Sequence, residues 1–325
     1  MTNNGYDGTT HPLGWIAGRL RCPDCHSSEL QWSNVSIVCT KCATVFPFSH
    51  GRPVLIREDN ALFPRTSYLN KATASDSSRS HLLSHLAPSR SVNLSYRRTL
   101  RTLAATLNRE AGSSVLIIGA GAQKQWLQQF FAEYPQIRLL YSDVDIHGDL
   151  DLFCDAHDLP FGDETFGAII ASAVLEHVMY PERVAAEIHR VLVKGGLIYS
   201  EIPFLQQVHE GAYDFTRYTL SGHRRLFNHF EEFSAGVVAG PATTLAWAIE
   251  HFVVCCAPRP LARPVRLMVR AGLFWLKYLD HFFEQSPGAA DGASCTFFFG
   301  RKLASKNPDV DVIDRYRGIK LLRHV

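Results

Sequence analysis

Residues Val115–Gly121 read VLIIGAG, and the reading of this stretch decides the fold. Four apolar residues run straight into Gly119-Ala120-Gly121. A helical pattern follows at once: Trp126, Phe130 and Tyr134 stand four apart, shadowed by Leu127 and Phe131. The pattern predicts a buried strand, a tight glycine turn and a helix. Glycines lack Cβ, so the turn can bend sharply and let a ligand lie against the backbone. The free N–H groups of the helix start then face ligand oxygens. By itself this turn suits an ordinary βα connection as well as a cofactor loop.

The stretches downstream repeat the alternation. Ile137–Ser142 (IRLLYS) predicts a second strand ending in Asp143 and Asp145, and Asp149–Cys154 a short third one. Gly167–Ser172 is a buried fourth strand. Pro181 opens a helix with Val184, Ile188, Val191 and Leu192 inward, stopped by Lys194-Gly195-Gly196, and Leu197–Ile202 is the fifth strand. Strands alternating with helices imply an α/β chain with a mostly parallel sheet and ligands at its carboxyl edge. An acid at the end of the second strand can accept bonds from ribose hydroxyls. A nicotinamide dinucleotide needs a third small residue in G-x-G-x-x-G, and Lys124 stands there, which argues against a dehydrogenase.

Before this core, Cys22-Pro-Asp-Cys25 and Cys39-Thr-Lys-Cys42 are two C-x-x-C knuckles with thirteen residues between them. That spacing predicts a structural zinc ribbon with Cys22, Cys25, Cys39 and Cys42 as ligands, in preference to a redox dithiol. Four thiolates close the coordination sphere and leave no place for a reactive water. The ribbon resembles the family of small zinc-ribbon methyltransferase activators and its bacterial relatives. Their pattern is C-P-x-C, C-x-x-C, then G-I-P-V-L-L, and here Gly51–Ile56 reads GRPVLI. The resemblance spans residues 18–57 and implies a companion module for a methyltransferase.

The run from Asp155 to Pro203, DAHDLPFGDETFGAIIASAVLEHVMYPERVAAEIHRVLVKGGLIYSEIP, resembles the class I methyltransferases dependent on S-adenosylmethionine (SAM), type 11 group. The resemblance implies a Rossmann-like seven-stranded fold carrying a small zinc ribbon and a C-terminal helical insertion. It also implies roles. Gly119 and Gly121 would pass the methionine end of SAM, and Asp143, or Asp145 two residues on, would hold the ribose. Asp155 with Ala156 would read the adenine, and Ala173 would wall the methyl-donor side. Glu176-His177 is a family marker. One departure stands inside the opening stretch: Ile117 occupies the place of the family's usual acid.

Beyond the fifth strand, His209, Glu210, Tyr213, Asp214, Arg217 and Tyr218 crowd into ten residues. This segment looks similar to methyltransferases acting on bacterial glycans and secondary metabolites. His209 is the first candidate for a general base and Asp214 for its orienter; a loop-holding hydrogen-bond network is the competing role. Residues 241–290 predict the helical insertion, with Thr243–Cys256 one helix and Val265–Phe283 the other. Arg266, Arg270, Lys277, Asp280 and Glu284 are expected along one polar stripe of the second. Glu231–Ala239 and Cys295–Arg301 predict the sixth and seventh strands.

The expected organisation is a ribbon module over 1–60, a serine-rich linker over 61–95, a methyltransferase domain over 96–305 and a polar tail over 306–325. Arg97, Arg98 and Arg101 line a helix predicted over Tyr96–Asn108, read as a solvated face. The net charge of +2 does not announce a nucleic-acid binder, although RNA remains a competing acceptor to a small molecule or glycan. A non-catalytic scaffold docking a protein partner is the reading from a different class. The ribbon or the C-terminal helices would meet that partner or a second copy, and the helices could instead meet a membrane surface. No export signal is visible and the cysteines are clustered, so a cytoplasmic location is expected.

Overall fold

The computed structural model describes residues 11–66, 89–108, 113–145, 149–286 and 288–319. The chain divides into two compact units. One comprises Met1–Ser75, Leu103–Ala171 and Tyr180–Ile198; the other comprises Asp76–Thr102, Ser172–Met179 and Tyr199–Val325.

The first unit begins with the ribbon strands β1 (Leu30–Trp32), β2 (Ser36–Cys39), β3 (Val45–Ser49) and β4 (Arg52–Leu55). They form an antiparallel meander in chain order. Helix α1 (Tyr96–Leu107) then leads into β5 (Ser114–Ile118), a short 3-10 turn at Gly121–Gln123, and α2 (Lys124–Phe131). Next come β6 (Arg138–Asp143), β7 (Leu152–Cys154), β8 (Phe166–Ser172) and α3 (Pro181–Val191). Every residue of β5 is buried. That requires cover on both faces, the usual state of a parallel strand built from Val, Leu and Ile. It pairs in parallel with β6 on one side and β8 on the other, Ile117 lying between Tyr141 and Ile170.

The ribbon is continuous with this parallel sheet. Strand β4, the GRPVLI element, pairs in parallel with β7 through Val54–Phe153 and Leu55–Cys154. A second tie lies at Arg21, whose N–H donates to the Pro160 carbonyl at 3.0 Å, and at Gly162, whose N–H donates to the Arg19 carbonyl at 2.8 Å.

Strand β9 (Leu192–Pro203) carries the chain into the second unit. There follow α4 (Leu220–Leu226), β10 (Phe230–Ala239), α5 (Pro241–Cys256), α6 (Ala262–Leu273), α7 (Asp280–Phe283), β11 (Cys295–Lys302) and α8 (Asp309–Asp314). The strand order is β1-β2-β3-β4-β7-β6-β5-β8-β9-β11-β10. Eleven strands replace the expected seven because the four ribbon strands add to the seven of the core. Strand β11 runs antiparallel to β10. β9 starts at Leu192, earlier than expected, because Lys194-Gly195-Gly196 is taken into the strand, Gly195 at φ +72°.

The insertion differs from expectation. The helix expected over Val265–Phe283 is broken into α6, a 3-10 turn at Leu276–Leu279 and the short α7. Two members of the expected polar stripe are buried. Lys277 donates to the Ser89 carbonyl at 2.7 Å. Asp280 accepts from the N–H groups of Gly240, Ala242 and Thr243 and from the Thr243 hydroxyl, and so caps the start of α5. These are the orphan donors of a helix beginning, and a carboxylate beside them also opposes the helix dipole. The α5 residue Glu250 is buried against Arg270, Arg90 and Arg266.

Of the stretch read as a linker, residues 67–88 lie outside the described residues. The described end is tied down: the Leu94 N–H donates to the Val238 carbonyl, and Asn93 Oδ1 caps α1 through the Tyr96 N–H at 2.9 Å. In the tail, α8 covers Asp309–Asp314.

Asp280→Ala leaves three buried N–H donors without their acceptor, which costs about 3 kcal/mol. Thermal denaturation of the two proteins checks this: the variant melts several degrees lower, and an unchanged Tm contradicts the capping role.

Candidate active site

In the first unit, the four ribbon cysteines converge. Their sulfurs lie within 4.8 Å of one another, with Cys22 Sγ and Cys42 Sγ 3.6 Å apart and Cys25 Sγ and Cys39 Sγ 3.5 Å apart. Tetrahedral zinc with sulfur ligands at about 2.3 Å gives sulfur–sulfur edges of roughly 3.8 Å, so the donor set fits that ion. The Cys42 thiol is drawn down to about 6, chiefly by its bond with the Thr44 hydroxyl.

The glycine turn sits at the carboxyl end of β5. Gly119 has φ +67° and Gly121 φ +30°, conformations that side chains rarely adopt. The Ala120 N–H donates to the Ser142 carbonyl at 3.2 Å, which ties the turn to the end of β6. Asp143 closes the same corner. Its carboxylate accepts from the N–H groups of Val144 at 2.7 Å, Asp145 at 3.2 Å and Gly121. A Cβ placed on Gly121 would stand 3.7 Å from Asp143 Oδ2, so the turn and the acid are in direct reach. Burial raises the Asp143 carboxyl above its usual range despite these donors. Asp145 is exposed. Lys124, in the place of a third glycine, pairs with Asp149 at 3.3 Å and Asp151 at 3.6 Å. Ile117 is buried in the strand.

Asp155 follows β7 and is heavily engaged. Oδ1 accepts from the His157 N–H at 2.9 Å and from His157 Nδ1 at 2.6 Å, and Oδ2 accepts from Asn60 Nδ2 at 2.6 Å. Burial alone would raise this carboxyl, but the His157 and Asn60 bonds outweigh it and hold it below its usual value. Ala156 beside it is buried. Asn60 and His157 carry no motif, and nothing in the sequence marked them as partners of Asp155. The Asn60 link needs a chain separation of 95 residues to close.

The second unit holds the other candidates. Ala173 has φ +56°, a left-handed conformation costing an ordinary residue about 1–2 kcal/mol, and its N–H donates to the Glu201 carbonyl at 3.1 Å. Glu201 is buried and accepts from Asn93 Nδ2 and the Tyr199 hydroxyl, each at 2.6 Å. His209 and Asp214 are brought together: the His209 N–H donates to Asp214 Oδ2 at 2.9 Å, and His209 Nδ1 lies 3.4 Å from the same oxygen. Arg217 grips both Asp214 oxygens. Burial would raise Asp214, but Arg217 and the His209 N–H overcome it and hold the carboxyl at about 2.

The sequence did not reveal what His209 meets on its other side. Its Nε2 stands 3.1 Å from His177 Nε2 and 3.9 Å from Glu176 Oε1. The family-marker pair and the loop histidine therefore form one cluster. Glu176 is fully buried and its carboxyl is pushed up to about 8 by that burial. Burial and the nearby His177 lower His209.

The Asp214 carboxyl is depressed on folding, so its contribution to stability is complete above the unfolded value near 3.9 and is lost as pH falls toward about 2. The Tm gap between wild type and Asp214→Asn is therefore constant from neutral pH to about pH 5 and narrows below about pH 4. A gap that widens on acidification contradicts the assignment.

Residues 119–200 match the family model described as a methyltransferase domain, type 11. No curated protein sequence matches the chain. Among solved structures, a chain from the complex between the Haloferax volcanii Trm112 methyltransferase activator and a methyltransferase aligns at 17% identity. The alignment covers 65% of this chain and 90% of that one, with a TM-score of 0.42. A sarcosine dimethylglycine methyltransferase structure from Galdieria sulphuraria aligns at 12% identity over 64% of this chain and 84% of its own, TM-score 0.41. The Haemonchus contortus phosphoethanolamine N-methyltransferase 2, with phosphomonomethylethanolamine and S-adenosylhomocysteine, aligns at 14% identity over 62% and 52%, TM-score 0.39. The domain match spans the glycine turn, the acid at the end of β6 and the Glu176-His177 pair. Residues 119–200 thus carry a methyltransferase domain of the type 11 family.

Proposed function

We propose that this protein transfers the methyl group of SAM to an oxygen or nitrogen of a small-molecule or glycan acceptor. The observation that carries the cofactor half is the Asp143 carboxylate bonded to the Gly121 N–H beside a turn with two left-handed glycines. In this reading Gly119 and Gly121 leave room for the methionine end, Asp143 accepts from the ribose and Asp145 flanks it. Asp155 and Ala156 meet the adenine, and Ala173 borders the methyl donor. SAM supplies an electrophilic methyl carbon; the residues of the chain position the two reactants and receive the acceptor's proton. His209 is the base, with Asp214, itself fixed by Arg217, orienting the imidazole through Nδ1.

Structural zinc in the four-cysteine site completes the ribbon, and a cytoplasmic setting keeps those thiols reduced. A protein partner or second copy would meet the ribbon or the insertion. The insertion's supporting feature is apolar exposure: Phe252, Met268 and Phe282 are 71%, 70% and 79% exposed. A membrane surface is the other apolar partner of that kind. Among the described residues no helix is long and apolar enough to cross a membrane.

A scaffold without catalysis is the second reading, favoured by Ile117 in place of the usual acid. Calorimetry on the zinc-loaded protein separates the two. SAM binds the wild type, and Asp143→Asn weakens it about tenfold or more, the loss expected for a charged hydrogen bond. No heat at millimolar SAM contradicts methyl transfer. RNA retention that falls steeply with salt would move the acceptor from small molecule to RNA.

A further inference from the structure

The Glu176–His177–His209 cluster poses a problem of hydrogen-bond chemistry. His177 Nδ1 lies 2.8 Å from the Tyr213 carbonyl, which can only accept, so Nδ1 carries the proton and Nε2 is left as a lone pair. His209 Nδ1 faces the ionised Asp214 carboxylate at 3.4 Å and the Gln207 carbonyl at 3.4 Å, with Gln206 Nε2 at 3.5 Å. The two acceptors, one of them an anion, favour the tautomer with its proton on Nδ1 as well. Two Nε2 lone pairs then face each other across 3.1 Å. Beside them lies a fully buried carboxyl group. Apart from its own backbone N–H, no described donor reaches either Glu176 oxygen. The one proton left to the three groups is that of the Glu176 carboxyl, whose Oε1 stands 3.6 and 3.9 Å from the two nitrogens, beyond hydrogen-bond reach, and buried polar groups left so are costly.

The distances say what resolves this. His177 Nε2, His209 Nε2 and Glu176 Oε1 form a triangle with sides of 3.1, 3.6 and 3.9 Å. Its circumcentre is about 2.1 Å from each corner, which is the bond length of a first-row divalent ion to imidazole nitrogen and carboxylate oxygen. All three ligand atoms lie within 4.8 Å of one another. Both imidazoles also have the outer partner typical of metal-bound histidine: a backbone carbonyl behind His177 and a carboxylate behind His209. Two nitrogens and one oxygen suit Mn²⁺, Fe²⁺ or Zn²⁺ and disfavour Mg²⁺, which takes oxygen ligands.

We infer that Glu176, His177 and His209 form a second metal site, distinct from the four-cysteine ribbon, that takes a first-row divalent cation. Three protein ligands leave open positions, where an acceptor hydroxyl can bind and lose its proton more readily. The purpose of the site rests on the proposed methyl transfer; its geometry does not. With the ion bound, His209 Nε2 is a ligand and no longer a base: the cation lowers the acceptor's pKa, and the hydroxyl's proton leaves to solvent water before the methyl transfers.

Titration of the full-length protein, carrying one zinc per chain on its thiolates and no excess zinc, with Mn²⁺, followed by the electron paramagnetic resonance signal of the free ion, tests this without disturbing the thiolate site. Wild type takes up one Mn²⁺ per chain, and Glu176→Gln and His177→Asn each weaken uptake at least about tenfold. Asp214→Asn weakens it to a smaller degree, as a positioning residue does. Where a variant fails to fold, Co²⁺ added to the zinc-loaded wild type decides: visible ligand-field bands without sulfur-to-metal charge transfer support the site. No uptake by wild type at about 1 mM Mn²⁺, no such Co²⁺ bands, or uptake unchanged in folded variants overturns it. SAM binding without Mn²⁺ uptake overturns the cation alone, and Mn²⁺ uptake without SAM binding leaves the cation and removes the methyltransferase reading.

Discussion

Much of this structure depends on β5 being buried on both faces and ending in a turn. A strand paired on both sides and covered above and below has spent all its hydrogen bonds and exposes no side chain. It can contribute to chemistry only where it stops. Gly119 and Gly121 let it stop abruptly, in left-handed conformations, and the freed N–H groups are taken by the Ser142 carbonyl and the Asp143 carboxylate at the end of the neighbouring strand. The turn and the acid hold each other. That places an acceptor of fixed orientation at the carboxyl edge of the sheet, where parallel α/β folds bind their ligands.

The ribbon adds a second consequence of strand pairing. An antiparallel meander has an open edge, and β4 satisfies it by pairing with β7. The segment just beyond β4 then supplies Asn60 to Asp155. The four-cysteine element thus reaches, through one strand and one side chain, a residue proposed to meet the adenine. Loss of zinc would be felt there through the packing of β4.

How much of this was legible follows from range. Strands β5, β6 and β8 and helix α3 were readable because their apolar periodicity is a local property. The cysteine spacing was readable because a knuckle is a local turn. Residue contacts across the chain were not. Asp280, at the start of α7, caps α5, and an aspartate that caps a distant helix looks in sequence like any solvated aspartate. Lys277 is similar, its ammonium bonded to a carbonyl in residues read as linker. His209 and Asp214 were found from their crowding within one loop. Their encounter with Glu176-His177 was not, since a separation of 32 residues between the two histidines carries no spacing signal. Ile117 stood out only against a family pattern, and it lies in the strand as one more core side chain.

We propose that the turn at Gly119–Gly121 and the acid at Asp143 make a SAM site. Hydrogen–deuterium exchange of the zinc-loaded protein with and without SAM measures this on the backbone itself. SAM bound there slows exchange in peptides covering the turn, the Asp143–Asp145 segment and the Asp155–His157 segment, with the ribbon strands unchanged. Exchange that SAM leaves unaltered in those peptides, or protection confined to other parts of the chain, would contradict it.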